Sequence, residues 1–413
     1  MEVRAGYKKT EVGVIPENWE VRPLLSAVRI ANGQVDPKNE PYKSMTLVAP
    51  DHIAGETGQL LLKRTASEQK AISGKYLFDA GDIVYSKIRP YLRKAILADF
   101  SGLCSADMYP LKPAKDVFAG FMLPVILGEH FSKYAESVSV RSGMPKINRA
   151  ELEDYTFPLP PFSEQRAIAT ALSDVDALLT AQDKLIAKKR NIKQAAMQQL
   201  LTGKQRLPGF SGEWEVKRLG DLGWTYGGLT GKIKADFGEG DSHYITFMNV
   251  MTNVVIDCDS FDRVRVAPSE VQNRVLSGDL LFNGSSETPE EVAMCALLKS
   301  DIPNLFLNSF CFGFRFHDDV KTDGLFLTYY IRSNEGRELM KSLAQGSTRY
   351  NLSKAALLKT SLCLPKFDEQ SAITAVLSDM DAELSALEQQ RDKTRALKQG
   401  MMQELLTGRI RLV

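Results

Sequence analysis

Two stretches of the chain carry nearly the same sequence, and they decide how the molecule is organised. Residues 159–207 read LPPFSEQRAIATALSDVDALLTAQDKLIAKKRNIKQAAMQQLLTGKQRL. Residues 364–412 read LPKFDEQSAITAVLSDMDAELSALEQQRDKTRALKQGMMQELLTGRIRL. The copies align without a gap at an offset of 205 residues, and about half of the aligned positions are identical. This repeat predicts two tandem units, each a variable body followed by the same tail.

The repeated tails have the pattern of long helices that pair with each other. Apolar residues recur at intervals of three and four, and each tail ends at a glycine, Gly203 or Gly408. About 37 helical residues at 1.5 Å each would span about 55 Å. We predict that the seam between the helices contains Ile168, Leu172, Val175, Leu179 and Ile186 from the first copy, and Ile373, Leu377, Met380, Leu384 and Leu387 from the second.

The sequences outside the tails predict two globular α+β bodies. In the first body, residues 81–97 read as strand, loop and strand, and residues 116–138 read as helical. In the second body we predict strands at 245–250 and 253–258. A third strand is predicted at 304–317, where Phe306, Phe310, Phe312, Phe314 and Phe316 alternate on one face. The predicted domains are therefore 1–160 and 207–362 as bodies, with 161–206 and 363–413 as helical segments.

Composition and charge set limits on the class of protein. The formal net charge is +1, whereas a dedicated non-specific nucleic-acid binder is usually strongly basic. The five cysteines are scattered without a CxxC pair, which is typical of reduced core residues. No apolar run approaches the roughly 20 residues of a membrane span, so we predict a cytoplasmic protein with no membrane association.

Sequence motifs for catalysis are missing. The chain has no GxxxxGK[ST] phosphate loop, no GxGxxG after a strand and no HExxH, and its four histidines are isolated. The acidic pairs Asp174 with Asp176 and Asp379 with Asp381 lie two residues apart on predicted helices, so the two carboxylates of a pair do not face each other. We predict no catalytic residues, no metal site and no bond chemistry by this chain alone.

Several motifs together resemble one protein family. They are KKTEVGVIPENW at residues 8–19, GDIVYSKIRPYLRKA at 81–95, GDLLFNGSSETPEE at 278–291, the paired LPPFSEQRAIA and LPKFDEQSAIT segments, and the two LLTG endings. In this combination the chain resembles, over essentially its whole length, the DNA-specificity subunit of type I restriction–modification systems.

The resemblance implies a division of labour. Each body is a target recognition domain that reads one half of a bipartite, asymmetric site in double-stranded DNA. The two tail helices pair as an antiparallel coiled coil under a pseudo-two-fold axis, set the gap between the half-sites and dock two methyltransferase subunits. Motor-nuclease subunits complete the enzyme. S-adenosylmethionine, ATP and magnesium belong to those partner subunits, and this chain carries no cofactor.

Base reading needs hydrogen-bonding side chains on loops that can enter a groove. Two loops of each body, at equivalent places in the sequence, carry such residues. In the first body the candidates are Lys87, Arg89, Tyr91, Arg93, Arg141, Ser142, Lys146 and Asn148. In the second they are Asn283, Ser285, Ser286, Ser347, Thr348, Arg349, Tyr350, Asn351, Ser353 and Lys354. On the first tail, Lys184, Lys188, Lys189, Arg190 and Lys193 are predicted to face solvent, a methyltransferase or phosphate.

Two other hypotheses remain open on the sequence. The near-neutral charge favours a two-headed scaffold whose bodies bind peptide or glycan. A lone regulatory protein that binds DNA without partner subunits is the third hypothesis. Genes for an adenine methyltransferase and a helicase-nuclease beside this one would favour the specificity subunit, and their absence would weaken it.

Overall fold

The computed structural model describes residues 4–139 and 143–412. The chain forms two compact units: Met1–Lys184 together with Gln389–Val413, and Leu185–Glu388. We call them the first and second units. Each unit contains one body and a part of each long helix, so the tails are built into the same units as the bodies.

Both repeated tails are single helices of 39 residues, Phe162–Leu200 and Phe367–Leu405. We call them the first and second long helices, and at 1.5 Å per residue each is about 58 Å long. After each helix a glycine takes up the left-handed backbone conformation that glycine tolerates best, with φ of 69° at Gly203 and 71° at Gly408. The predicted long helices and their glycine ends are therefore confirmed.

The body of the first unit mixes short strands and helices. Its strands are Tyr7–Thr10, Gly13–Pro16, Glu20–Pro23, Val28–Ile30, Leu47–Val48, Tyr76–Phe78, Ile83–Ser86, Ala95–Leu97, Gly102–Cys104, Met108–Pro113 and Thr156–Leu159. Its α-helices are Leu24–Ala27, Ala119–Leu127, Glu129–Ser139 and Arg149–Glu153, with 3₁₀ turns at Tyr42–Ser44, Pro50–His52 and Pro90–Leu92.

A four-stranded antiparallel sheet organises the first body, in the order Val28–Ile30, Met108–Pro113, Ile83–Ser86, Ala95–Leu97. The main core of the unit contains the fully buried Trp19 and Phe121. Ile168 from the first long helix and Leu405 from the second belong to the same core. Since apolar burial is the main source of stability, the helix ends and the body are stabilised together.

The body of the second unit follows the same plan. Its strands are Glu215–Arg218, Gly223–Gly227, Phe237–Ile245, Phe261–Val264, Leu280–Asn283, Ser285–Ser286, Cys295–Leu297, Leu305–Leu307, Cys311–Phe316, Ala344–Gln345, Tyr350–Leu352 and Ser361–Leu364. Its helices are Leu219–Leu222, Phe247–Thr252, Gly324–Arg332, Asn334–Leu343 and Lys354–Lys359, with a 3₁₀ turn at Lys234–Asp236.

The main sheet of the second body has the order Gly223–Gly227, Cys311–Phe316, Leu280–Asn283, Cys295–Leu297. This order matches the sheet of the first body strand for strand. Leu201, Ile373 and Leu377, from the end of one tail and the start of the other, join its core. The α+β prediction with two bodies and two long helices is confirmed.

Two strand predictions in the second body were wrong. Phe247–Thr252 is a helix because the Thr246 side chain caps it by accepting a hydrogen bond from the Asn249 amide. Residues 253–258 form only an isolated bridge, between Val255 and Leu297. Local hydrogen bonding outweighed β propensity in the first case.

The phenylalanine-rich strand is interrupted. Leu305–Leu307 and Cys311–Phe316 are separate strands in different sheets, and Phe310 lies between them with 55% of its surface exposed. Phe312 and Phe314 are buried in the main core, whereas Phe306 belongs to a smaller cluster.

Candidate nucleic-acid interface

The two candidate loops of the first body lie side by side. Ile88 and Lys146 form an antiparallel bridge. The Ile147 amide donates to the Lys87 carbonyl at 2.9 Å, and the Arg89 amide donates to the Pro145 carbonyl at 2.8 Å. The structure thus brings together residues that are about 58 positions apart in the sequence.

The corresponding loops of the second body are joined in the same way. Ser285–Ser286 pairs with Tyr350–Leu352, with Ser285 opposite Asn351. The Leu352 amide donates to the Gly284 carbonyl at 3.0 Å, which repeats the bond between Ile147 and Lys87 in the first body. Each body therefore presents one double-loop edge of the same construction. We call these the first and second loop edges.

Basic and aromatic side chains are exposed along the first loop edge. Arg89, Tyr91 and Lys146 are exposed, and Tyr91 exposes 50% of its surface. Arg89 and Arg93 have left-handed backbone angles, with φ of 48° and 46°. Such conformations are costly for residues other than glycine and concentrate at functional sites.

Two other candidates on this edge contact the body. The Lys87 ammonium lies 5.1 Å from the centre of the Tyr109 ring, and burial raises the pKa of Tyr109. The Arg93 guanidinium lies 3.8 Å from the Glu56 carboxylate. Arg141 and Ser142 lie outside the described residues.

The second loop edge is polar and mostly exposed. Ser347, Thr348, Arg349 and Asn351 are exposed and Tyr350 is half-buried. Lys354 is exposed and its ammonium lies 5.8 Å from the centre of the Phe312 ring. Residues 344–354 include two basic and no acidic side chains, as expected for a surface that approaches phosphate.

Four of the proposed DNA-binding side chains make bonds that hold the edges in shape: those of Asn148, Ser353, Asn283 and Ser286. Asn148 and Ser353 are helix caps that accept from the amides of the residues three positions later, at 2.9 and 3.4 Å. Asn283 is fully buried, and its amide group bonds to the backbone of Ser285, Glu291 and Met294. Ser285 and Ser286 are only 7% exposed. In this structure these groups position the loops.

The paired long helices carry a second set of polar contacts. In the first unit, Lys398 donates to Asp176 at 2.6 Å and Gln182 donates to Thr394 at 3.3 Å. In the second unit, Lys193 pairs with Asp381. The residue numbers rise along one helix as they fall along the other, so the helices run antiparallel within each unit.

The two lysine–aspartate pairs occupy the same place in the repeat, since 193 and 398, like 176 and 381, differ by 205. Lys189 and Arg190 also pair with acidic residues of the second long helix, Glu383 and Glu388. This pairing was not predicted from the sequence, although alternating charge along a helix is a known signal for it.

The apolar residues predicted for the seam differ in burial. Ile168, Leu172, Ile186, Ile373, Leu377 and Leu384 are buried. Val175, Leu179, Met380 and Leu387 are half-buried. Those nearest the helix starts belong to the main core of their unit, so they anchor the helix to the body.

A buried carboxylate holds the start of one tail against the end of the other in each unit. In the first unit, the Arg411 guanidinium donates two bonds to Glu164, at 2.6 and 2.8 Å, and the Trp19 indole donates at 2.9 Å. We call this cluster the first clamp. Arg411 follows the second LLTG segment and Glu164 lies in the first tail, so the bond joins the two repeated sequences.

The second clamp has the same residue types at the equivalent positions of the repeat. Arg206 donates to Glu369, and the Arg206 guanidinium lies over the ring of Trp214. The hydrogen bonds to Glu369 raise the pKa of Arg206. Unlike Trp19, the Trp214 indole nitrogen has no hydrogen-bond partner among the described residues.

Two absences concern the described residues. Within 4–139 and 143–412, no cluster of His, Cys, Asp or Glu side chains is arranged to hold a metal ion. In that same part of the chain, no helix has the length and apolar character to cross a membrane.

Comparison with known proteins identifies the class. The family described as the type I restriction modification DNA specificity domain matches residues 16–189 and 211–394. The chain therefore belongs to this family and is a type I specificity subunit with two specificity domains.

Two relatives align with different fractions of this chain. The chain is 32% identical to the EcoDI specificity subunit of Escherichia coli, over 48% of this chain and 44% of that protein. It is 25% identical to the putative MjaX specificity subunit of Methanocaldococcus jannaschii, over 98% and 97% of the two chains.

Solved structures share the fold. One is the type I restriction–modification S subunit from M. genitalium, with a TM-score of 0.56 at 14% identity over 94% of this chain and 96% of that chain. Another is a chain from work on complex assembly and conformational transition of the type I R-M system, with a TM-score of 0.61 at 18% identity over 96% and 99%.

Proposed function

We propose that each body reads one half of a bipartite sequence in double-stranded DNA through its loop edge. The observation that supports this most is that both bodies build the same double-loop edge, in the same register, from sequences that differ. Two domains that recognise different bases need the same backbone arrangement but different side chains.

The long helices set the gap between the half-sites in this proposal. Helices of about 58 Å are long enough to separate two readers by more than one turn of duplex, about 34 Å. The antiparallel ion pairs and the two clamps fix the register of the helices within each unit.

The remaining surface of the helices docks two methyltransferase subunits. Leu185 and Ile192, seven residues apart on the first long helix, are 40% and 44% exposed, and Leu397, the repeat equivalent of Ile192, is 60% exposed. Apolar residues exposed at helical spacing are typical of partner-binding faces.

The complete enzyme also contains motor-nuclease subunits and works in the cytoplasm. S-adenosylmethionine, ATP and magnesium bind to the partner subunits, and this chain supplies DNA recognition without catalysis. The missing catalytic motifs in the sequence agree with this assignment.

Exchange of one body tests whether each body recognises only one half of the DNA site. Residues 1–160 are replaced by the first body of another family member, and the methylated sequence is determined by methylome sequencing. We expect one half of the recognition sequence to change while the other half and the gap stay the same. The reciprocal exchange of 208–362 is the matched control and should change only the other half. A change in both halves from either exchange would contradict the proposal.

Matched insertions test the role of the helices. Seven residues are added after Lys184 and seven after Glu388, which keeps every ion pair within its own unit. Because seven helical residues add about 10 Å, the gap should grow by about three base pairs. An active complex with an unchanged gap would show that the helices do not determine the spacing.

A further inference from the structure

We infer that Phe310 and Arg349 are the residues of the second body that contact base edges, and that Asp107 and Met144 take their places in the first body. This inference rests on the proposed function, since it names the reading residues of the same loop edges. Phe310, Asp107 and Met144 were not among the candidates from sequence.

The turn that carries Phe310 belongs to the second loop edge. The Gly284 amide, one residue before Ser285, donates to the Phe310 carbonyl at 2.8 Å. The Asn308 side chain accepts from the Phe310 amide at 2.9 Å, and the Asn308 carbonyl accepts from the Cys311 amide at 3.0 Å. The backbone of Phe310 is therefore held on both sides while its ring points outward.

The exposure of this ring is unusual in its context. Phe312 and Phe314, the next residues of the same alternating pattern, are 3% and 1% exposed, whereas Phe310 is 55% exposed. The guanidinium of the exposed Arg349 lies 5.2 Å from the centre of the Phe310 ring. A ligand that covered this ring would remove apolar surface from water, which is favourable.

The chemistry of this pair fits DNA. An apolar ring on a reading edge contacts the thymine methyl group or wedges beside a base step, and a guanidinium donates to guanine. A peptide or glycan partner would also cover an aromatic ring, but the Arg349 guanidinium beside this ring favours a partner that carries negative charge.

The first body has the same turn with different side chains. The Lys87 amide donates to the Asp107 carbonyl at 3.0 Å, as Gly284 does to Phe310. The Ser105 hydroxyl accepts from the Asp107 amide at 3.2 Å, as Asn308 does for Phe310. Asp107 is exposed and so takes the place of Phe310.

The position of Arg349 also holds a different residue in the first body. The offset of 205 places Met144, 53% exposed, where the second body has Arg349. A carboxylate accepts from the amino group of cytosine, which an aromatic ring cannot do. The equivalent positions therefore read different base pairs in the two half-sites.

The test uses the full chain in complex with its methyltransferase partner. Binding is measured on the recognition duplex found by methylome sequencing and on duplexes with every single base-pair change. For Phe310→Ala we expect roughly 10-fold weaker binding to the recognition duplex, because one contact with a base edge is lost. Discrimination should be lost at one or two adjacent base pairs of a single half-site. Arg349→Ala should relax the same positions and also lower the salt dependence of binding.

Controls separate this effect from a loss of structure. Val216→Ala removes another exposed apolar side chain, 74% exposed, from a strand outside the loop edges and should leave discrimination unchanged. Phe310→Tyr keeps the ring and should keep most of the discrimination. Melting temperatures of all variants should match that of the unmodified complex.

The outcomes are distinct. If Phe310→Ala melts normally and discriminates every base pair as the unmodified complex does, this inference is wrong while the proposed function stands. If the unmodified complex shows no bipartite preference at all, the proposed function itself fails. Loss of discrimination in the half-site read by the other body would also overturn the assignment.

Discussion

The two units use the same framework and differ where their loops are exposed. The clamps, the helix caps and the lysine–aspartate pairs of the helices recur at an offset of 205 residues. At the loop edges the equivalent positions hold unlike residues, Asp107 against Phe310 and Met144 against Arg349. Positions that bond within the protein stay alike, whereas positions exposed on the loop edges diverge.

The two clamps differ in the hydrogen bonds that their carboxylates accept. Glu164 accepts from both Arg411 and Trp19, whereas Glu369 accepts from Arg206 without a bond from Trp214 among the described residues. The same residue types therefore give a more completely bonded carboxylate in the first unit.

The largest difference is expected when the clamp arginines are removed. Arg206→Ala leaves the buried Glu369 carboxylate without its guanidinium, whereas Arg411→Ala leaves Glu164 with the Trp19 bond. Since breaking a buried pair is strongly destabilising, we expect the melting temperature to fall by roughly 10 °C for Arg206→Ala and roughly half as much for Arg411→Ala. Thermal unfolding of the purified complex measures both.

Two further variants test that explanation. Adding Glu369→Gln to Arg206→Ala removes the uncompensated charge and should recover part of the loss. Arg263→Ala changes an exposed arginine and should have little effect. Equal losses from the two clamp variants would show that the Trp19 bond contributes nothing.

The next largest effect concerns the glycines after the helices. A Cβ at Gly408 would lie 2.5 Å from Pro16 Cδ, whereas one at Gly203 would lie 3.2 Å from the Trp214 ring. With the added strain of a positive φ, we expect Gly408→Ala to cost about 3 kcal/mol and Gly203→Ala about 1.5 kcal/mol in free energy of unfolding. Urea denaturation measures the difference.

Gly400 is the matched control for these variants. It lies within the second long helix, where an added Cβ meets nothing within 4 Å. Gly400→Ala should therefore stabilise the chain by about 0.5–1 kcal/mol. If all three variants behave alike, the close packing at the helix ends is not important for stability.

The helix caps on the loop edges give a smaller difference. Asn148 and Glu151 cap each other reciprocally, with bonds of 2.9 and 2.7 Å, whereas Ser353 makes one bond of 3.4 Å. We expect Asn148→Ala to cost about 1 kcal/mol and Ser353→Ala about 0.5 kcal/mol. Normal stability combined with lost DNA discrimination would instead show that these side chains contact bases.

The ion pairs of the helices are expected to give an effect as small as that of the helix caps. Asp381 accepts from the Tyr329 hydroxyl at 2.7 Å in addition to pairing with Lys193, whereas no such tyrosine bond accompanies Asp176 and Lys398 in the described contacts. Double-mutant cycles with alanine should give a coupling energy of about 1 kcal/mol for Lys193 with Asp381, and about 0.5 kcal/mol for the other pair. A larger coupling for Lys398 with Asp176 would contradict this ranking.

The candidate loops could be selected from the sequence, but the bonds that their side chains make could not. Two loops at equivalent places in both bodies were predicted, and the structure joins the two loops within each body. Asn283 was selected as a candidate for base contact because amides recognise bases, yet it is buried and its side chain bonds to three backbone groups of its own loop. Phe310 was assigned to a strand because a period of two does not show where the Asn308 side chain stops that strand.

The sequence by itself determined the long helices, their glycine ends and the α+β bodies, because these depend on short-range periodicity and on a repeat visible without coordinates. Only the tertiary structure decided that Arg411 binds Glu164, that Lys193 binds Asp381, and which polar side chains stay exposed on the loop edges. Those contacts join residues tens to hundreds of positions apart, and whether a polar group is free for a ligand depends on partners that folding alone brings together.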